Sequence, residues 1–331
     1  MFKRSCSLLD KLPKQQAAEW LGGIETIIFG TDGVLWQEYE PIAESVDTFN
    51  AVKAKGKRCL IVTNDSILSN GKLTKKAASL GFQVGEKDVL SAAGAISGYL
   101  TDRKFEKKVL VMGGSGICRD LRKAGFCTMV SKLSSNGQSW IEFVRSLELD
   151  PDVGAVVVAR DDSMDTNDLI VACNYLKNPK VLFLTTGTDG FFPFGKHRIP
   201  DAGTVAAAIQ VIVNRKPVVL GKPNPRILGK LLESGEIKPE KTLVIGNTLK
   251  TDIVFASICG FQSLLVADDK VLEEAQSIKK EGNEKKMKLV PDLFVACFAP
   301  LQELLCAESM PAESQDVNKD RKNSQQTATN D

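Results

Sequence analysis

The sequence predicts an α/β fold, a parallel sheet with helices on both faces. Three observations carry this. Short β-branched runs alternate with amphipathic stretches along most of the chain, those runs are continuously apolar, and glycines fall where helices should stop. A strand covered on both faces has no polar side, so an unbroken apolar run is its mark. Strands are expected at 24–29, 58–63, 108–112, 154–159, 181–186, 216–220, 242–246 and 263–267. Helices are expected at 43–55, 70–80, 91–101, 115–124, 165–178, 203–214, 225–235 and 250–259, with Gly56, Gly81, Gly125 and Gly260 at stops. Such alternation builds right-handed crossovers between parallel strands.

Composition narrows the function classes. The 331 residues are 43% hydrophobic and 25% charged with a net charge of +2, which suits a globular protein and offers no surface dedicated to nucleic acid or membrane. The basic pairs Lys279-Lys280 and Lys285-Lys286 are interleaved with Glu281 and Glu284 and read as a solvated helix or loop. No segment approaches the roughly 18 apolar residues of a membrane span. The N-terminal stretch has no sustained apolar core and no small-residue cleavage site, so no secretory leader is expected. Eight scattered cysteines without a C-x-x-C pair point to a reducing compartment, and the expected location is cytoplasmic. His197 is the single histidine, expected in an exposed loop, so a Ser-His-Asp or His-rich metal chemistry would hang on it alone.

Ligands of open α/β sheets gather at the C-terminal ends of strands. Reading those positions gives FGTDGVLW (Gly30, Thr31, Asp32), VTNDS (Thr63, Asn64, Ser66), LGKPNP (Lys222) and IGNTLKTDI (Asn247, Thr248, Thr251, Asp252). Hydroxyls, amides and exposed N–H groups suit phosphate oxygens, a lysine neutralises an anion, and carboxylates hold a hard cation such as Mg²⁺. Each string alone is weak; four in order, each at a strand end, are a strong signal.

Together these strings resemble the haloacid dehalogenase (HAD) superfamily, in its branch of p-nitrophenyl, phosphoglycolate and pyridoxal phosphatases, over roughly residues 15–306. The family's motifs F-D-x-D-G-V-L-W, V-T-N-N-S, G-K-P-S-P and G-D-x-L-x-T-D-I stand here as FGTDGVLW, VTNDS, GKPNP and GNTLKTDI. The resemblance implies a HAD-type, Rossmann-like parallel-sheet core with an inserted α/β cap of the larger, C2 type. The expected divisions are a core first part (1–103), the cap (104–202), a core second part (203–306) and a disordered polar tail (307–331).

By the same resemblance, Asp32 stands at the acid/base position and also offers a backbone carbonyl to Mg²⁺. Thr63, Asn64 and Lys222 stand at the phosphate-binding positions, and Asp252 at a carboxylate supporting the metal. Two positions depart from the pattern. Gly30 replaces the aspartate nucleophile and Asn247 a metal-binding aspartate, so two carboxylates are lost around one cation. Thr31, expected to point to the opposite face of its strand, offers no substitute. In the cap, Asp189 is retained, while Gly187 replaces an Asn and Asp201-Ala202-Gly203 replaces Gly-Thr-Gly. Phe191, Phe192 and Phe194 read either as a substrate wall or as a cap contact.

The expectation is a phosphatase homologue without the covalent mechanism, its Mg²⁺ binding weak or lost and its affinity for a small phosphorylated metabolite possible to retain. It is expected to form a homodimer through the cap, with no nucleic-acid or membrane partner. One alternative is an active Mg²⁺-dependent phosphomonoesterase; another is a structural dimer partner of an active paralogue.

Overall fold

Two parallel sheets organise the chain in a computed structural model that describes residues 2–130 and 139–307. The first has the order Ser7–Leu8, Leu293–Val295, Gln262–Val266, Thr242–Gly246, Thr26–Phe29, Arg58–Thr63, Val89–Ser91. All of its pairings are parallel. The earliest long strand, Thr26–Phe29, is interior, flanked by Thr242–Gly246 on one side and Arg58–Thr63 on the other. Strand order reverses there, which opens a crevice at the carboxyl ends.

The second sheet has the order Val218–Val219, Leu182–Thr185, Val153–Val158, Lys108–Met112, Thr128–Val130 and is also wholly parallel. Its central strand, VGAVVV, is buried at every residue, as its unbroken apolar run requires. The helix Ala92–Asp102 joins the two sheets. Its Ile96 and Leu100 share one apolar cluster with Leu60 and Val62 of the first sheet and with Val109, Val111 and Val157 of the second. The α/β class and the inserted unit are therefore as the sequence predicts.

Beneath the crevice, Phe29, Phe49, Phe82 and Trp36 pack edge to face or tilted, with ring centroids 4.9, 5.5 and 5.9 Å apart along that series. Burying each ring contributes about 1.5–3 kcal/mol, so this aromatic group anchors the floor of the site.

Several expectations are corrected. The core second part is expected to begin at 203, but Val205, Ala206 and Ile209 of the helix Ala202–Val213 pack in the second unit's cluster. Val218–Val219 also pairs with Leu182–Thr185, so the chain returns to the first unit at Leu220. The expected helix at 225–235 is a short 3₁₀ turn, Pro225–Leu228, which ends where Gly229 adopts φ +57°. A short strand, Val89–Ser91, precedes the helix expected from 91, and Ser91 caps that helix. His197 is exposed, on a hairpin strand that pairs with Phe191–Phe194 rather than in a loop. The polar tail lies, from residue 308, outside the described residues. No helix among the described residues is long and apolar enough to cross a membrane.

Candidate active site

Strand ends and two loops of the second unit enclose a cavity of about 150 Å³ at the crevice. Gly30, Thr31, Asp32, Thr63, Asn64, Lys222, Asn247 and Asp252 all line it, so the four motifs converge as the sequence predicts. Asp189, Phe191 and Phe192 line it from the cap side, whereas Phe194 is exposed and lies outside it.

The loop after Thr26–Phe29 is wound tightly, because the carbonyl of Thr31 accepts from the amides of Val34 (3.0 Å) and Leu35 (2.8 Å). That winding ends strand alternation at Phe29 and turns Thr31 inward, contrary to expectation. Its hydroxyl lies 2.9 Å from that of Thr63 and 3.3 Å from Asp32 Oδ2. Thr63 is held further by the amide of Asp65, at 3.0 Å. Burial raises the pKa of Asp32 above the usual carboxylate range, and the nearby charge of Asp65 adds to the effect.

Lys222 and Asp252 form a buried ion pair, Nζ to Oδ1 at 2.7 Å, with side chains only 8% and 4% exposed. Such a pair persists only where the remaining lone pairs are satisfied. Here Asp252 Oδ2 accepts from the Asn247 amide (3.1 Å), the Thr248 amide (3.2 Å) and the Thr248 hydroxyl (2.8 Å). Thr248 also accepts from the Asp252 amide at 3.2 Å, which caps the wide π-type turn Leu249–Ile253 that replaces the expected helix start.

Asn64 lines the cavity, and its side chain also has a structural task. Its amide brackets the main chain of Lys222, donating to the carbonyl (3.0 Å) and accepting from the amide (2.7 Å). Gly187 and Gly221 make room for this clamp, since an added Cβ would stand 3.0 and 2.4 Å from Asn64 atoms respectively. Asn64 is a positioning residue for Lys222.

The positions expected to hold Mg²⁺ are poor in charged donors. Gly30 has no ligand, Asn247 has a neutral amide, and both oxygens of Asp252 are engaged by protein donors. Among the described residues no group of three or more His, Cys, Asp or Glu side chains is arranged to hold a metal. A small, reluctantly dehydrating cation is held through carboxylate oxygens at about 2.0–2.1 Å, and of the positions expected to hold it only Asp252 has a carboxylate, already engaged by protein donors.

Residues that sequence reasoning missed come from neighbouring loops and the cap. Asp65 lines the cavity, its Oδ1 accepting from the Ile67 amide at 2.8 Å. Arg160 follows the strand Val153–Val158, with its amide on Ser66 Oγ (3.1 Å) and its guanidinium 4.2 Å from the Phe192 ring centroid. Applying the strand-end rule to the second sheet would have found it. Asp201, noted only as a departure from the family pattern, caps the helix Ala202–Val213 and also lines the cavity. Burial raises its pKa, with smaller contributions from Asp189 and Asp65. Asp189 accepts from the Thr251 hydroxyl at 2.7 Å and so ties cap to core.

Family comparisons agree with this geometry. Residues 27–127 match the model described as haloacid dehalogenase-like hydrolase, and residues 219–294 match a second one described as HAD-hydrolase-like. Chronophin of Rattus norvegicus is 30% identical over 304 residues, spanning 89% of this chain and 93% of its own length. The chain belongs to the haloacid dehalogenase-like hydrolase family. Within it, phosphoglycolate phosphatase 1A, chloroplastic, of Arabidopsis thaliana is 31% identical over 256 residues, covering 76% of this chain and 71% of its own length. The crystal structure of 4-nitrophenylphosphatase from Thermotoga maritima superposes with a TM-score of 0.70 at 22% identity, covering 86% of this chain and 98% of that one. That likeness confirms the fold of core and cap. The relatives place this chain among HAD-type proteins similar to chronophin and phosphoglycolate phosphatase.

Proposed function

We propose that this chain is a HAD phosphatase homologue that has lost the aspartyl-phosphate route and retains affinity for a small phosphomonoester without turning it over. The observation that carries the proposal is the state of Asp252. One of its oxygens is paired with Lys222 and the other accepts three hydrogen bonds, while Gly30 and Asn247 supply no carboxylate. A nucleophile is absent at Gly30, and glycine forms no acyl phosphate. Thr31 and Asp32 remain in the cavity. Asp32, buried with a raised pKa, is suited to hold a proton at a leaving group; engaging it as nucleophile would leave that task vacant.

The residues left in place favour binding over chemistry: Thr63 is fixed by two hydrogen-bond partners, and Arg160 brings a guanidinium to the cavity from the second unit. A homodimer through the second unit is part of the proposal. Val211 (82% exposed) and Ile212 (62%) near the end of the helix Ala202–Val213, and Val218 (38%) on the sheet's edge strand, are exposed apolar side chains of that unit. A cytoplasmic location is supported by the described cysteines, no two of which form a disulfide.

The test is p-nitrophenyl phosphate hydrolysis with Mg²⁺, comparing the wild type with the double variant Gly30→Asp/Asn247→Asp. The expected result is no wild-type turnover above buffer and measurable turnover in the double variant. Wild-type turnover at the rate of ordinary phosphatases, with kcat of about 1 s⁻¹ or more, would overturn the proposal in favour of an active enzyme.

A further inference from the structure

The cavity carries two cations, Lys222 and Arg160, among five carboxylates, those of Asp32, Asp65, Asp189, Asp201 and Asp252. The charge of Lys222 is spent internally, on Asp252 at 2.7 Å in a buried pair. Arg160 differs. Its nearest carboxylate oxygen within ion-pair range is Asp162 Oδ1 at 4.0 Å, on a side chain 69% exposed, and its guanidinium makes no hydrogen bond among the described residues. Its position is nonetheless fixed. The backbone amide donates to Ser66 Oγ (3.1 Å), the carbonyl accepts from the Gly114 amide (3.1 Å), and the guanidinium lies over Phe192. A planar fork held this way loses little freedom on binding a phosphate or carboxylate, and its five donors match such groups two at a time.

The carboxylates have other duties: Asp65 accepts from the Ile67 amide, Asp189 from the Thr251 hydroxyl, and Asp201 caps its helix. They remain in the cavity and repel an anion everywhere except beside Arg160, whose charge acts on Asp32 and Asp201 but which no carboxylate engages closer than 4.0 Å. We propose that Arg160, on the inserted unit, is the anion-anchoring and specificity-determining residue of this cavity, and that it takes the phosphate of a small phosphomonoester at the cap side rather than above Gly30. This rests on the reading that the site retains phosphoester affinity. It adds the residue responsible and a reason for the lack of turnover, because the phosphate is held away from the vacated nucleophile position.

The test is isothermal titration calorimetry of the full chain with inorganic phosphate as probe, and acetate in a parallel arm, on the wild type, Arg160→Ala and Arg160→Lys. Circular dichroism melts report whether each variant is folded. Loss of charge-assisted hydrogen bonds to one anionic group predicts phosphate binding weakened about tenfold or more in Arg160→Ala, and partly restored in Arg160→Lys. A folded Arg160→Ala that binds phosphate within about twofold of wild type overturns the role of Arg160 and leaves the retained-affinity reading standing. Arg160→Lys serves in the same comparison where Arg160→Ala does not fold; unchanged affinity there overturns the bidentate role. Arg160-dependent binding of acetate with none of phosphate overturns the phosphomonoester class. A wild type that binds neither probe at millimolar concentration overturns the retained-affinity reading itself, whatever the variants do.

Discussion

Restoring the two missing carboxylates gives the most demanding test of how this site is held together. In Gly30→Asp the new Cβ would lie 3.2 Å from Val34 Cγ2, 3.6 Å from the Ile245 carbonyl oxygen and 3.7 Å from Asp252 Oδ1. The first contact asks Val34 to yield a few tenths of an ångström. Gly30 does not have a positive φ, so the backbone accepts a side chain there. Asn247→Asp is isosteric. Both changes add charge beside Asp252, whose single partner of opposite sign is Lys222. Two carboxylates about 4 Å apart repel by about 4 kcal/mol at an effective dielectric of about 20, and Lys222 offsets part of this. A net loss of about 2 kcal/mol without metal follows, or about 4 °C in Tm for a chain of this size. Mg²⁺ at a hundredfold over its Kd then returns about 2.7 kcal/mol, a rise of about 5 °C or more. Differential scanning fluorimetry in EDTA and in Mg²⁺ reads both numbers. The wild type is expected not to respond to Mg²⁺. An equal rise in the wild type would refute the argument that its expected metal positions are too poor in charged donors to hold the ion, and no response in the double variant would refute the view that the rest of the frame is intact.

Two further outcomes follow from single residues. The folded-state pKa of Asp32 lies above its unfolded value, so its contribution to stability is fully present below the unfolded pKa and is lost as pH rises through the folded one. Asp32→Asn is therefore expected to be more stable than wild type at pH 7, with the difference shrinking toward acid pH; urea denaturation at several pH values checks this, and a difference independent of pH would contradict it. In Gly221→Ala the new Cβ would stand 1.9 Å from the Thr186 carbonyl oxygen and 2.4 Å from Asn64 Oδ1. A loss of about 1–3 kcal/mol in urea is expected as the Asn64 clamp on the Lys222 main chain is displaced, and a stability equal to that of the wild type would contradict it.

What the sequence made legible follows from which physical constraint each residue answers. The strand runs were readable because burial on both faces leaves no room for a polar period, and Val153–Val158 meets that limit at every position. Gly30 and Asn247 were readable because the motifs around them resemble the family pattern, which has a carboxylate at each position. Thr31 was misplaced because alternation holds only inside a strand, and the turn made by its own carbonyl begins just beyond Phe29. Residues 203–219 were assigned to the wrong unit because a helix followed by a strand states its own conformation and not which sheet it joins. That choice is made by Val205 and Ile209, which pack in the second unit, and by the pairing of Val218 with Leu184. Arg160 and Asp65 were unread because their significance lies in which loops face each other across the crevice, a long-range fact without a local pattern.

The charge balance of the site links its lost and retained parts. With carboxylates at positions 30 and 247, Lys222 would face three negative charges, and a divalent cation would be needed to hold them together. With Gly30 and Asn247, one lysine faces one carboxylate, and Asp252 Oδ2 is satisfied by the amides of Asn247 and Thr248 and by the Thr248 hydroxyl. The pair is then neutral and saturated without any ion. Loss of the nucleophile alone would have left two carboxylates competing for Lys222, and loss of the metal-binding aspartate alone would have left the same count. Only the two changes together reach balance, so each removes the electrostatic cost that the other would leave behind. The same neutrality takes Lys222 out of service as an anion receptor, which is why an anion entering this cavity has to be met by Arg160 from the cap.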